Sequence, residues 1–230
     1  MIVLNKMKYI KAIFFLFLSV VGVAAFAQQK DFEIWTGIKY KTIHTKRVAS
    51  TVSAQSRFHE NSTRFLAAFA DFNLAYKISK NIEVSGAYVF LQKNNLRYGL
   101  RTYHQYYAGI NLEKKLNDFE VSYDFILQNN HKDFIQDSRE RIPSSFFKNK
   151  VKVQYKVKKS YYPYLYSDLR HKLTQQGIAE TNRLRIGVGM GYRFDINSRI
   201  DFFYLYQKYL TTSIPRERFV MGVTYKLRVF

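Results

Sequence analysis

From Phe219 to Val229 every second residue is apolar: Phe219, Met221, Val223, Tyr225, Leu227 and Val229 alternate with positions that include Gly222, Thr224, Lys226 and Arg228. The same period carries Leu184, Ile186, Val188, Met190, Tyr192 and Phe194 against Arg183, Arg185, Gly187, Gly189, Gly191 and Arg193. It carries Val151, Val153, Tyr155 and Val157 against Lys148, Lys150, Lys152, Gln154, Lys156 and Lys158. Phe119, Val121, Tyr123, Phe125 and Leu127 stand likewise against Glu120, Ser122 and Asp124. Side chains of a β-strand point alternately to its two faces, so each window reads as a strand with one oily face and one polar, cationic or small face. A helix would need a period near 3.6. Such windows fill the chain after residue 28 and predict an all-β protein.

The expected strands lie near 32–42, 64–78, 82–93, 102–116, 119–130, 147–158, 162–174, 182–194, 199–211 and 217–230, ten in all. Two read less cleanly: 200–210 is aromatic on both faces, and 163–173 fits either phase. Tight connections at 79–81, 116–118, 158–161 and 195–198 alternate with longer polar ones at 94–101, 131–146, 175–181 and 212–216. Short turns at one end and longer loops at the other describe an antiparallel up-and-down barrel of the outer-membrane kind, with residues 43–63 as one long outer loop. Residues 48–58 also alternate moderately, through Val48, Val52, Ala54 and Phe58. Counting them gives eleven, and an even closed barrel would then need a twelfth strand, so ten is the expectation and twelve the alternative.

Alternation alone does not say which face looks outward, since a soluble barrel turns its apolar side in. The N-terminus bears on this. Lys6, Lys8 and Lys11 lead into an apolar run from Ala12 that ends in Ala25-Phe26-Ala27, the pattern of a Sec signal peptide. About 16 apolar residues are fewer than the roughly 20 a spanning helix needs. The expected domains are therefore a signal peptide, 1–27, cleaved before Gln28, and a barrel, 28–230. The 37 Lys and Arg against 17 Asp and Glu give a net charge of +20, of which three charges belong to the leader. Export makes nucleic acid an unsuitable partner and leaves anionic membrane surfaces and small anions. The 19 Tyr and 20 Phe suit interfacial aromatic girdles, and the absence of Cys removes disulfides, thiolate nucleophiles and Cys-based zinc sites. Outward lysines at 148, 150, 152 and 156 would each cost roughly 2–4 kcal/mol at the bilayer midplane, so in a membrane barrel the cationic face must look inward.

The ending Met221-Gly222-Val223-Thr224-Tyr225-Lys226-Leu227, closed by Phe230, resembles the assembly signal of bacterial outer-membrane proteins, carried here by Gly222, Tyr225, Leu227 and Phe230. With Phe32-Glu33-Ile34-Trp35-Thr36-Gly37, the segment from Ala70 to Asn81, and Phe147 to Lys152, nearly the whole chain after residue 28 resembles the small outer-membrane barrels of Bacteroidetes grouped only as a domain of unknown function. That resemblance implies architecture and an outer-membrane location, with lipid, lipopolysaccharide and the barrel-assembly machinery as partners. It implies no activity. Members often carry a short Asn-Lys turn after the first strand, whereas Thr42 to Arg47 is longer and has neither Gly nor Asn.

Catalytic constellations are sparse. None of His44, His59, His104, His131 and His171 has a Ser two positions away, the spacing that would put imidazole and hydroxyl on one strand face. His131 with Asp133 reads as a solvated loop pair, and Asp168 and His171 fall on opposite faces. Asp133, Asp137 and Glu140 are interleaved with Lys132, Arg139 and Arg141, which argues against a cation cage. Gly187, Gly189 and Gly191 alternate along a strand with no helix after them, so they relieve crowding instead of cradling phosphate. No cofactor is called for. What remains is a basic lumen wall of Lys148, Lys150, Lys152, Lys156, Arg183, Arg185, Arg193, Lys226 and Arg228 facing Glu33, Asp71, Glu83, Glu113, Glu120 and Asp124. The first reading is a structural barrel plugged by ion pairs; the alternatives are a narrow anion-preferring pore and an outer-membrane lipid-modifying enzyme.

Overall fold

The computed structural model describes residues 31–95, 99–132, 144–157, 160–173, 179–211 and 217–230. The expected leader 1–27 lies outside them, as do Asp133, Asp137, Glu140, Arg139, Arg141 and Lys158.

Eleven strands follow one another: β1 (Asp31–Ile43), β2 (Val48–His59), β3 (Arg64–Lys77), β4 (Ile82–Asn95), β5 (Gly99–Leu116), β6 (Phe119–Lys132), β7 (Ser144–Tyr155), β8 (Tyr161–Leu173), β9 (Ala179–Arg193), β10 (Ser198–Tyr209) and β11 (Glu217–Val229). Each pairs antiparallel with the next, and the sheet closes into a barrel. The count is one more than the ten expected, because residues 48–59 form β2 and do not belong to a long outer loop. No twelfth strand is needed: β1 and β11 pair in parallel, in register from Asp31↔Arg218 to Thr42↔Val229. Such odd closure departs from the even-stranded bacterial rule.

The β1–β2 turn forms without Gly or Asn because Thr45 supplies its own scaffold. Its hydroxyl accepts the backbone N–H groups of Arg47 and Val48, at 3.1 and 2.9 Å. The N–H groups of His44 and Thr45 in turn reach the Val48 carbonyl. Turns 44–47, 78–81, 117–118 and 194–197 share one end of the barrel, the turn end, with residues 156, 157 and 160. The other end, the loop end, carries the 60–63 turn, together with the far ends of β4 to β11. There Glu60, Asn61 and Ser62 all adopt left-handed backbone angles (φ 51°, 54° and 66°), and Asn61 N–H donates to Asp31 Oδ1, tying the β2–β3 turn to the start of β1.

The wall is inverted relative to a soluble protein. Ile38, Val52, Phe72, Leu74, Leu165, Val188 and Phe202 point outward with about half of their surface exposed. Glu33, Gln105, Gln128, Gln154, Asp168, Arg183, Asp201 and Gln207 point inward and are buried. Soluble monomers do not carry a continuous apolar belt of this kind, whereas a bilayer accepts it. Closure also leaves no unpaired sheet edge in hydrocarbon. Aromatic residues gather toward both ends of the belt. At the turn end Phe119 packs on Tyr155, and Tyr192 on Tyr161 and Phe194. Toward the loop end Phe58 meets Phe65, Phe147 stacks on His171 at 4.4 Å, and Phe219 lies between Tyr204 and Tyr206. Ring faces with polar tips are at home at both lipid–water boundaries.

Candidate functional site

Because lipid-facing positions must be apolar, most charged residues of the alternating strands are driven to the lumen, where charges from eleven strands meet in a confined space. Three cavities follow one another along the lumen among the described residues. Toward the loop end, one of about 410 Å³ is lined by residues including Glu33, Lys93, Tyr103, Gln128, Arg170, Arg183, Arg185 and Arg218. A middle chamber of about 390 Å³ is lined by residues including Lys39, Asp71, Lys150, Lys152, Tyr164, Asp201 and Lys226. At the turn end one of about 560 Å³ opens among Lys41, Glu83, Glu113, Glu120, Lys156, Arg193, Arg199 and Arg228.

Trp35, Arg57, Phe69 and Tyr107 line both of the first two chambers and form the waist between them. The Arg57 guanidinium sits 3.7 Å from the Trp35 ring centroid and 4.1 Å from that of Phe69, held between two aromatic faces. Its Nε donates to Gln55 Oε1 at 2.8 Å. Beside it Trp35, Leu205 and Val220 make a small dry core, flanked by Tyr166 and Phe203. This core lies along the parallel seam, contributed by β1, β10 and β11. It explains why 200–210 is aromatic on both faces: Phe203 and Leu205 plug the lumen, while Phe202 faces outward.

Above the waist Glu33 is fully buried. It is ion-paired with Arg218 and accepts the Trp35 Nε1 proton at 2.7 Å. Asp168 Oδ1 lies 3.5 Å from Arg183 Nη2 and its Oδ2 3.9 Å from Arg185 Nη1, while Arg185 Nε donates to Gln207 Oε1 at 2.7 Å. Arg170 Nε donates to Asn182 Oδ1 at 3.0 Å, and the Lys148 ammonium stands 4.5 Å over the Tyr107 ring. Below the waist Asp201 holds both Arg199 and Lys226. Asp124 lies 4.0 Å from Lys150 and accepts from Asn111 at 2.6 Å. Lys152 stands over Tyr164, and Lys115 bridges Glu113 and Glu120.

All nine basic positions of the expected wall line these chambers: Lys148, Arg183 and Arg185 above the waist, Lys150 and Lys226 in the middle, Lys156, Arg193 and Arg228 at the turn end, and Lys152 between the last two. Of the terminal residues, Gly222 lies inside beneath the Phe203 ring, where any Cβ would collide with it. Tyr225 faces outward with its hydroxyl 3.3 Å from Ser198 Oγ, Leu227 is half-buried, and Phe230 is exposed at the turn end. Gly187 and Gly189 likewise lie under the rings of Tyr166 and Tyr164, and Gly191 under the Arg199 guanidinium. These glycines admit large side chains from neighbouring strands.

Sequence spacing missed Arg57, Lys93, Arg170 and Arg218 above the waist, and Arg199 and Asp201 below it. It also missed a hydroxyl–imidazole contact: His44 Nε2 and Ser50 Oγ, six residues apart, lie 2.7 Å from each other at the turn end. Among the described residues no third group hydrogen-bonds that exposed pair into an orienting relay. His131 packs edge-on against Tyr106, and His171 hydrogen-bonds with Thr181 at 2.9 Å. Among the described residues no three His, Asp or Glu side chains converge as metal ligands.

Comparison with solved structures places the fold among outer-membrane barrels. The β-domain of the Bordetella autotransporter BrkA superposes with a TM-score of 0.50 at 8% identity, covering 80% of this chain and 85% of that one. A loop-deletion form of OmpT, an outer-membrane protein of Vibrio cholerae, gives a TM-score of 0.42 at 12% identity, over 74% of this chain and 60% of that one. The chain thus spans less than two thirds of the Vibrio protein's length. At these identities the likeness is one of fold alone. No curated protein matches the chain significantly. The family described as "Protein of unknown function (DUF2490)" matches residues 32–227, and the chain belongs to that family.

Proposed function

We propose that the protein is an integral outer-membrane barrel whose lumen is occluded, a structural scaffold in the lipid and not an open channel. The observation that carries this reading is the waist: Arg57 held between Trp35 and Phe69, backed by the dry cluster of Trp35, Leu205 and Val220. Cation–π contacts between desolvated partners are worth about 2 kcal/mol. Two such contacts on one guanidinium make a plug that fluctuations seldom open. The apolar belt and the paired aromatic bands supply the membrane anchorage, with outer-membrane lipid as the surrounding partner.

Planar-bilayer recording tests it. Wild-type protein is expected to give no conductance steps, and Trp35→Ala with Arg57→Ala is expected to open small ones. Anion-selective steps from the wild type overturn the scaffold reading. They would establish the narrow anion-preferring pore, which the excess of cations over carboxylates in the loop-end chamber favours. The His44–Ser50 contact gives the lipid-enzyme reading its one foothold. A fluorophosphonate probe that labels Ser50 would overturn a non-catalytic assignment; the expected result is no labelling, since an exposed hydroxyl and imidazole without an orienting partner or oxyanion donors do not make an activated nucleophile.

A further inference from the structure

Seven cationic side chains line the loop-end chamber, Arg57 at its floor and Lys93, Lys148, Arg170, Arg183, Arg185 and Arg218 around its wall. Against them the described residues set three carboxylates, Glu33 in the lining, Asp168 behind Arg183 and Arg185, and Asp31 opposite Arg218 in the β1–β11 pairing. Glu33 is committed to Arg218 and Trp35. Asp168 is shared between two guanidiniums at 3.5 and 3.9 Å, so neither is fully neutralised. Among the described residues Arg170 bonds a neutral amide oxygen and lies over the Phe146 ring, and Lys148 stands over the Tyr107 face; Asp168 lies within electrostatic reach of both but is ion-paired with neither. Among the described residues Arg183, whose side chain is 9% exposed, keeps a buried Nε with no hydrogen-bond partner, and the neighbouring Asp168 Oδ1 is a buried acceptor that is equally unsatisfied.

Buried cations without counter-charge are costly, and donors without acceptors add to that cost. Among the described residues the wall therefore holds more positive charge than its carboxylates balance, seven cations against three. The turn-end chamber differs: its many lysines are interleaved with Glu83, Glu113, Asp118 and Glu120.

We infer that the loop-end chamber is a binding site for a small, multiply charged phosphorylated anion. Guanidinium groups present planar forks that match phosphate oxygens in pairs, and those of Arg170, Arg183, Arg185 and Arg218 come from three different strands. A monovalent halide would meet one such fork and leave the others unsatisfied, whereas a group with several charged oxygens meets more of them at once. A space of about 410 Å³ suits a small molecule, and Tyr103 and Tyr209 add further polar contacts on the wall. The inference concerns equilibrium binding above the waist, so it stands or falls separately from conductance through it.

The protein has one tryptophan, and it forms the chamber floor, with Glu33 on its indole nitrogen and the guanidiniums of Arg57 and Arg185 at 3.7 and 5.2 Å from its ring. Folded protein in neutral detergent is titrated with pyrophosphate while Trp35 emission is followed, with calorimetry as the second readout. Saturable binding is expected, weakened at least about tenfold by Arg183→Gln. The exposed-side variant Lys93→Gln is expected to weaken it less and serves if Arg183→Gln does not fold. Lys46→Gln, in the β1–β2 turn, leaves it unchanged. A micellar short-chain phosphatidic acid separates the sources of the charge: binding of pyrophosphate alone identifies a free anion, and phosphatidic acid binding with the same Arg183 dependence identifies a headgroup. Absence of saturable binding by both readouts overturns the inference. So does binding that Lys46→Gln weakens as much as Lys93→Gln does, because that is general attraction to a basic protein.

Discussion

Replacing Glu33 by Gln isolates one charge at the centre of the loop-end chamber. The side chain is 1% exposed, its carboxylate pairs with Arg218, and it accepts the Trp35 indole proton. Gln keeps the shape and an oxygen for Trp35, so the variant removes the ion pair and little else. Arg218, 22% exposed, then remains in the lumen without its buried partner, left with the more distant field of Asp31, on the same wall as Arg183 and Arg185. Breaking one side of a buried pair costs about 3–5 kcal/mol, most of it the uncompensated charge that is left. Urea unfolding of the refolded barrel, followed by Trp35 emission and by heat-modifiable gel mobility, reads the loss. Arg218→Met alone should also destabilise, by stranding Glu33. The double variant Glu33→Gln with Arg218→Met should recover most of either loss, because no charge is then unpaired. A single-variant loss under about 1 kcal/mol would refute the reasoning, and so would additive losses in the double variant.

Three further outcomes are expected. Gly222→Ala should cost about 1–3 kcal/mol through collision with Phe203 and be rescued by Phe203→Leu; persistence of the loss in the pair would mean that Gly222 serves assembly and not packing. Deleting Phe230, exposed beyond β11, should leave stability in detergent unchanged yet lower the fraction assembled in the outer membrane, measured by fractionation; full assembly would argue against the C-terminal signal. Asp195, in the 194–197 turn, accepts the backbone N–H groups of Asn197 and Ser198 at 2.6 and 2.8 Å, which holds its carboxyl below the usual carboxylate range. Its stabilising contribution is therefore complete above the ordinary carboxylate value and is lost as pH falls through the lower folded one. Carboxyl carbon NMR titration should give a depressed midpoint; an ordinary one would contradict the turn geometry.

The strands that were legible are those whose two faces differ most. β6, β7, β9 and β11 alternate large apolar with charged or small residues because one side meets lipid and the other water, and each lay where the alternation put it. β2 was harder. Its outward face carries Ser50, Ser56 and Ala54 beside Val48, Val52 and Phe58, so its contrast is weak, and Thr45 builds the preceding turn without the residues that usually signal one. Omitting β2 hid Arg57 and with it the waist. β8 reads in either phase because Tyr162, Tyr164 and Tyr166 point inward while Leu165 and Leu169 point outward, and both sets look oily; Asp168 and Arg170 were lost to that ambiguity. Side-chain periodicity carries no information about how the first and last strands join, so the parallel closure was not readable at all.

That closure has a consequence for how the barrel fails. Ten of its eleven strand pairs are between sequence neighbours and survive as a meander if the ring opens. The remaining pair joins residues nearly two hundred positions apart and is of the slightly weaker parallel kind. Contacts so distant in sequence form late, since the chain must surrender the most freedom to make them. Until they form, β1 and β11 are bare edges with unspent backbone donors and acceptors, each a template for a strand of another molecule. Conditions that loosen this one seam should therefore yield chains joined edge to edge before they yield unfolded ones.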